Sequence, residues 1–390
     1  NFCSTIGYPV LIRPSYVLSG AAMRVAYEEK QLEDFLKIAS EVSEDHPVVI
    51  SKFLEDAMEI EVDGLCDGED TLIGSLIEHV ELAGTHSGDA TMIIPPQSIP
   101  ASVEAKIIHY TRKIASALKI RGPFNIQYLV KGHDVFVIEC NLRASRSMPF
   151  VSKIRGMNLM TIAASILLGR KIKDIWFEDY TYPRYPKYIG VKVPQFSFMR
   201  LQGADPVLGV EMLSTGEVAC IGRTFSDAFI KALLSAENEI PLQNGRALFS
   251  VGGAELKERL IPVAKTFTEI GYKLYATEHT AEVLLKAGIP VQVVYKIREA
   301  QRKPNIKDLL INREIDLVVN IPQTTTIEKY VELLQDEYEI RRSAVEYNIP
   351  VITNIKLAEA LADALLKIRE EEFTVISLNE YIDSLPLKLW

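Results

Sequence analysis

The chain has 390 residues, 48% of them hydrophobic and 24% charged, and carries a net charge of −9. This balance suits a globular protein of two or three domains. No long basic run points to nucleic acid, and no apolar stretch is long enough to span a bilayer.

The start, Asn1-Phe2-Cys3-Ser4-Thr5, has neither an initiator Met nor the pattern of a signal peptide, so the chain reads as a piece of something longer. Cys3, Cys66, Cys140 and Cys220 are scattered without a Cys-x-x-Cys pair. Free thiols in a reducing cytoplasm are therefore expected.

Residues 1–30 read as strand, loop and helix. Arg13 ends the apolar run Pro9–Ile12, and the small residues of Ser15–Ala22 follow it. An arginine there suits phosphate binding, and a surface arginine fits equally well. Lys30–Glu44 has an amphipathic helical stripe, and Val48–Leu54 reads as a strand. Glu59-Ile60-Glu61-Val62-Asp63-Gly64-Leu65 alternates as a half-buried strand does, and Glu59 could accept from ribose hydroxyls, although most such glutamates are solvated. Leu72–Val80 is a further strand. His86-Ser87-Gly88-Asp89 follows in a loop, with His86 as a candidate phosphate-side donor and Ser87 as a backbone contact, although a lone histidine is more often structural. Val103–Leu118 reads as a helix.

Phe124–Val130 and Val135–Asn141 then read as a hairpin. The second strand is taken as buried, with Glu139 and Asn141 on one face and Arg143 and Arg146 just beyond. A three-residue loop, Gly132-His133-Asp134, places Lys131 opposite Val135 and Gln127 opposite Glu139. Gln127, Glu139 and Asn141 would then offer three oxygens to a hard cation, beside arginines suited to phosphate. A hairpin whose polar residues merely face water has equal claim on spacing alone.

Leu159–Leu168 is an apolar helix closed by Gly169, and Tyr180–Lys187 reads as a loop. Residues 189–240 read as a strand, a Gly/Asp/Pro loop and a helix. From Arg246 onward strands and helices alternate, which predicts a parallel sheet with helices on both faces over 240–372. The tail, 373–390, shows little pattern. Thr277 precedes a helix start, either as its N-cap or as part of an anion site at the sheet edge. Lys257, Lys296 and Asn320 are candidates to converge there. No nucleophile–base arrangement occurs in this region.

Five segments together carry a family resemblance: Arg13-Pro14-Ser15-Tyr16-Val17-Leu18, Glu78-His79-Val80-Glu81, Gly84–Asp89, Glu139–Arg146 and Ser214-Thr215-Gly216-Glu217-Val218. Over nearly its whole length the chain resembles the C-terminal part of the large chain of carbamoyl phosphate synthetase. The resemblance implies a mixed α/β and α+β architecture. A partial ATP-grasp domain at 1–235 would precede a Rossmann-like parallel α/β domain of the methylglyoxal-synthase-like (MGS-like) type at 240–372, and a tail at 373–390.

The implied activity is ATP-dependent phosphorylation of carbamate, serving arginine and pyrimidine biosynthesis. Arg13, Lys52, Leu54, Glu59, Gly84, Thr85, His86, Ser87, Gln127 and Glu139 would bind ATP, with Leu54 and Lys52 at the adenine hinge and Glu59 on the ribose. Gln127, Glu139 and Asn141 would hold Mg²⁺ or Mn²⁺, and K⁺ would lie near Glu59, His79 and Thr85. Arg143 and Arg146 would face the transferred phosphoryl group. Lys257, Thr277, Thr280, Lys296 and Asn320 would bind an effector, with the two lysines favouring a nucleotide monophosphate (UMP or IMP). The implied partners are an N-terminal synthetase half and a glutaminase, in an oligomeric cytoplasmic enzyme. Another ATP-grasp carboxylate ligase, such as a biotin-carboxylase-like protein, and a non-catalytic effector-binding fragment are the alternatives.

Overall fold

The computed structural model describes residues 2–14, 23–42, 48–176, 183, 185, 187–198, 200–201, 203–322, 327–368 and 375–384. The chain divides into two compact units: Asn1–Val191 with Leu208–Leu213 and Val375–Trp390, and Lys192–Val207 with Ser214–Thr374. The small-residue loop 15–22 and the threonines 324–326 lie outside the described residues.

In the first unit a small antiparallel sheet pairs β1 (Val10–Pro14) with β2 (Arg24–Ala26) on one side and β3 (Val48–Lys52) on the other. β2 stands where a helix was expected, and the helix begins only at Glu29. The larger sheet contains β4 (Met58–Asp67), β5 (Thr71–Leu82), β6 (Met92–Ile94), β7 (Arg121–Lys131) and β8 (Asp134–Asn141), in the order β6-β5-β4-β7-β8. β4 lies in the middle and pairs antiparallel with both β5 and β7. Its apolar face, with Ile60 and Val62, packs with Phe124, Ile126 and Tyr128 of β7 and with Ile107 and Ile108 of helix Ala101–Ala117. Thr111 and the Tyr128 hydroxyl are 2.7 Å apart inside that layer. The helix stops before Leu118, which is exposed rather than on the buried stripe.

Helices Met148–Arg155 and Leu159–Leu167 also lie in this unit. Val151 and Leu159 come so close to Gly74 that a Cβ there would touch both. β9 (Ile189–Gln195) starts in this unit, and Gly190 lets it lie flush on helix Met148–Arg155. A Cβ at Gly190 would fall 2.3 Å from Ile154 Cδ1 and 2.6 Å from the Phe150 ring. Gly190→Ala is therefore expected to cost about 1–3 kcal/mol by overpacking, read as a lower unfolding midpoint. An unchanged midpoint would mean that the helix shifts freely.

The segment after Val375 is more ordered than its composition suggested. Helix Leu378–Asp383 opens on a capping box between Ser377 and Glu380, and Tyr381 donates to Ile154 O at 2.9 Å.

The second unit carries β10 (Gly216–Gly222), a strand not anticipated in the loop between β9 and helix Phe225–Ser235. It also holds the expected parallel sheet, formed by β11 (Arg246–Val251), β12 (Lys273–Thr277), β13 (Gln292–Val294), β14 (Leu317–Ile321) and β15 (Val351–Ile352). Their order is β13-β12-β11-β14-β15, and the pairs are parallel. The chain thus winds outward from β11 first one way and then the other. The switch falls between β11 and β14, where open α/β sheets hold their ligands at the carboxyl ends of the strands.

Candidate active site and effector site

The β7–β8 hairpin sets the geometry of the first site. Lys131 faces Asp134, so the turn has two residues, Gly132 and His133, rather than three. Gly132 takes φ +61°, as such a turn requires. A bulge then restores the count: Tyr128 faces Val137 while Gln127 faces Glu139, which leaves Ile138 as the extra residue. The expected Gln127–Glu139 pairing holds, but through a short turn plus a bulge. The expectation of a buried strand fails. β8 has only β7 beside it among the described strands, and Phe136 and Val137 are 44% and 49% exposed.

Register carries the polar face across three strands. Glu61 of β4 faces Gln127, which faces Glu139; one step along, Asp63 faces Asn125, which faces Asn141. The carboxylates of β4 do not point to solvent. Glu59 and Glu61 are 6% and 2% exposed, because both faces of this central strand are covered, and His79 of the neighbouring β5 is 3% exposed. Alternation marks two faces, and it does not say that one of them is wet.

Glu61 collects three donors: His79 Nε2 lies 3.1 Å from Oε1, Gln127 Nε2 donates to Oε1 at 3.3 Å, and Asn125 Nδ2 donates to Oε2 at 2.9 Å. His79 Nδ1 is 3.9 Å from Glu59 Oε2. Gln127 also donates to Ser87 Oγ at 3.2 Å, which ties the Gly84–Ser87 loop to the row. Asn141 donates to Glu139 Oε1 at 2.8 Å. Both amides thus use their N–H groups on carboxylates or a hydroxyl, and their carbonyl oxygens remain suited to a hard cation. Glu59, Glu61 and His79 form a second group of possible ligand atoms within 4.8 Å of one another.

The loop Gly84–Ser87 lies beside Phe53. A Cβ at Gly84, where φ is +113°, would meet the Phe53 ring at 3.2 Å. Leu54 follows directly, and Lys131 donates to Glu55 O at 3.1 Å. His86 Nδ1 accepts from Gly88 N at 3.0 Å, and burial lowers its pKa. A neutral ring then carries its proton on Nε2, as a donor. Arg13 and Lys52 occupy neighbouring strands but different registers, since Arg13 faces Val49 and Lys52 faces Val10. The Lys52 ammonium donates to Tyr8 O at 2.7 Å and Gly7 O at 3.2 Å, bracing the turn before β1. Arg143 is exposed and donates to Ala144 O at 3.1 Å; Arg146, also exposed, reaches Met212 Sδ at 3.3 Å.

Burial pushes the Glu59 carboxyl up to about 7, with His79 opposing and Glu61 and Glu139 adding to the rise. A group whose folded pKa lies above its unfolded value holds its proton more tightly when folded. Its stabilisation is complete below the unfolded value, near 4.5, and is lost as pH rises through about 7. The first unit should lose a few kcal/mol over that range, at about 1.4 kcal/mol per pKa unit. Glu59→Gln should flatten the slope. Thermal unfolding at mildly acidic and mildly alkaline pH, without potassium or divalent cations, checks this, and parallel curves for both proteins would refute it.

In the second unit the expected effector residues sit at the carboxyl edge of the sheet, with partners the sequence did not suggest. Ser250 of β11 lies opposite Asn320 of β14, at the switch point. Thr277 does not cap its helix with its side chain; its hydroxyl donates to Ser250 Oγ at 3.2 Å. Thr280 Oγ1 accepts from Val251 N at 3.1 Å. Ser250 in turn donates to both Glu337 oxygens at 3.2 Å, and Asn320 donates to Glu337 as well. Arg341 donates to Asn320 Oδ1 at 2.6 Å and makes a two-pronged pair with Asp205 at 2.7 and 2.6 Å.

Lys296 is paired with Asp336 at 3.1 Å. Lys257, in the first turns of helix Ala254–Glu269, joins neither Lys296 nor Asn320 in a hydrogen bond among the described residues. Around Lys296 and Asn320, Asp336 and Glu337 supply negative charge that the sequence did not suggest. Burial raises the Glu337 pKa, and its bonds to Asn320 and Ser250 oppose that rise.

A polar face built of carboxylates and amides, closed by a turn bearing two arginines, is suited to a metal ion and phosphate, and here it is joined in one chain to a doubly wound α/β unit. Residues 1–175 match the family described as carbamoyl-phosphate synthase L chain, ATP binding domain, and residues 259–353 match the MGS-like domain. The chain thus carries an ATP-binding domain of the carbamoyl-phosphate synthase L-chain type followed by an MGS-like domain.

It is 46% identical over 377 residues to multifunctional protein pyr-3 of Neurospora crassa, covering 95% of this chain and 20% of that one. It is 45% identical over 383 residues to the carbamoyl phosphate synthase large chain, C-terminal section, of Methanocaldococcus jannaschii, covering 96% and 60%. With the carbamoyl phosphate synthase large chain of Archaeoglobus fulgidus it shares 42% over 376 residues, covering 96% and 34%. The chain thus spans from about a fifth to 60% of the length of these relatives. No described helix is long and apolar enough to cross a membrane.

Proposed function

We propose that the first unit transfers the γ-phosphoryl group of ATP to carbamate, giving carbamoyl phosphate and ADP. The observation that carries this reading is the register that aligns Glu61, Gln127 and Glu139, and beside them Asp63, Asn125 and Asn141, just before the turn holding Arg143 and Arg146. Gln127, Glu139 and Asn141 have the oxygen donors that Mg²⁺ or Mn²⁺ requires. The metal, when bound, would neutralise charge on the β- and γ-phosphates.

This chain's own residues do the rest. A carbamate oxygen forms the new bond to γ-phosphorus as the bond to the ADP oxygen breaks, and Arg143 and Arg146 balance the charge on the phosphoryl oxygens. His86, neutral and donating through Nε2, and the backbone of Gly84–Ser87 steady the phosphates, and Arg13 assists. Leu54 offers hinge backbone to the adenine, with Lys52 bracing the strand beside it. Potassium fits the buried Glu59 and His79 group, with Thr85 close in sequence to its loop.

For the second unit we infer effector binding at Ser250, Thr277, Thr280 and Asn320, with Lys257 and Lys296 as cations for a nucleotide monophosphate once Lys296 leaves Asp336. An N-terminal synthetase half and a glutaminase would supply carbamate, consistent with the greater length of the relatives.

The test is ATP formation from carbamoyl phosphate and Mg-ADP by the purified chain with potassium. This is the reaction in reverse, and it needs neither glutamine nor a second synthetase half. Turnover supports the assignment. Its absence from folded chain would favour a fragment that binds without reacting.

A further inference from the structure

We propose that Asp63 is a positioning residue that holds the Arg143–Arg146 turn in place for phosphoryl transfer, a role that rests on the reading of those arginines given above. Asp63 lies in the middle of the central strand and is fully buried. Among the described residues it forms no ion pair with Lys or Arg. Its Oδ1 accepts from Asn125 Nδ2 at 2.9 Å and Ser145 Oγ at 2.6 Å, and its Oδ2 accepts from Ser147 Oγ at 2.7 Å. Two of the three donors flank Arg146 in sequence, so that arginine's backbone is tethered on both sides to one carboxylate of the sheet. The third donor, Asn125, faces Asn141.

The serines give up their usual work to make these bonds. Ser147 is the N-cap of helix Met148–Arg155, where a serine normally bonds the helix's own N–H groups, yet it makes no such bond. Its hydroxyl goes to Asp63. Ser145 Oγ instead accepts from Met148 N at 3.1 Å. The turn and the helix start are therefore held from a single point in the sheet. Keeping a carboxylate there is costly: burial raises Asp63 to about 6, despite three hydrogen bonds that pull it down. The Arg143 guanidinium bonds within its own turn, to Ala144 O. Its position thus follows wherever the turn is held.

The test uses the full chain and two readouts. The first is the rate of tryptic cleavage after Arg143 and Arg146. The second is kcat and KM for ATP formation from carbamoyl phosphate and Mg-ADP. Asp63→Ala should speed cleavage at those two sites by about tenfold or more, because local opening becomes easier there. It should lower kcat by about a hundredfold, as misplaced groups do, and leave the KM for Mg-ADP within about twofold. Asp63→Asn keeps an acceptor for Asn125 and Ser145 and should recover most of both effects. If Asp63→Ala does not fold, Ser145→Ala with Ser147→Ala cuts the same tethers from the turn side and should reproduce the cleavage pattern.

Unchanged cleavage at the two arginines overturns the role, as does acceleration spread evenly along the chain. Loss of kcat that Asp63→Asn fails to relieve overturns it too. If the unaltered chain makes no ATP, the function assigned to the first unit falls, and the cleavage rates still decide whether Asp63 holds the turn.

Discussion

Glu139→Ala is expected to lower ATP formation from carbamoyl phosphate and Mg-ADP by about a thousandfold, or about 4 kcal/mol in the barrier. Glu139 supplies the one charge among Gln127, Glu139 and Asn141. With it gone, two neutral amides remain, and Asn141 loses the acceptor that orients it at 2.8 Å. The fold should barely respond. Glu139 is exposed on a strand paired on one side only among the described strands, and surface changes of that kind stay within about 0.5 kcal/mol. An intact unfolding midpoint with lost turnover is the expected pair of results. Glu139→Gln should fall nearly as far, since it keeps the shape and removes the charge. If the alanine variant retains more than about a tenth of the rate, Glu139 does not hold the reacting complex.

Arg341→Ala should act through stability. The Arg341 side chain is wholly buried, and it serves Asp205 and Asn320 at once. Removing it leaves Asp205 without its cation and Asn320 Oδ1 without its donor, with Glu337 nearby. Breaking a wholly buried pair from one side costs about 3–5 kcal/mol, and with the Asp205 side chain 39% exposed about 2–3 kcal/mol is expected here. The second unit should therefore unfold well below its usual midpoint, while the first unit's transition moves little. A loss under about 1 kcal/mol would mean that water enters and solvates Asp205. Substituting Arg341 by Lys should recover only part of the loss, because an ammonium cannot repeat the two-pronged contact.

Much of the second unit's architecture is legible in the sequence, because each strand of 246–352 is a short apolar run bounded by helical stripes. The strand order is not legible, since it depends on crossover direction. The partners of Lys296 and Asn320 are hidden for a related reason. Asp336, Glu337 and Arg341 lie on the far side of a connection in sequence and meet the sheet edge only once the helix packs.

In the first unit, strand spacing singles out Gln127, Glu139 and Asn141 but not Glu61 and Asp63. Their spacing of two is visible, but it marks only one face of a half-buried strand. The missing information was that β4 is central and covered on both sides. Matching polar positions, Glu61 with Gln127 and Asp63 with Asn125, is the signal that could have found them. Such matching becomes usable only when the strands are known to be neighbours.

The hairpin between β7 and β8 contains one residue of slack. Its turn is one residue shorter than the assumed loop, and Ile138 makes up the difference before the functional end is reached. If Asp134 joined the turn, Ile138 would fall into line and Glu139 would stay opposite Gln127. If Ile138 fell into line with the two-residue turn unchanged, it would take the place opposite Gln127, and Glu139 and Asn141 would turn to the other face of the sheet. Turn and bulge must therefore change together along the same stretch of chain, so that the tip can vary while the ligand positions stay in phase.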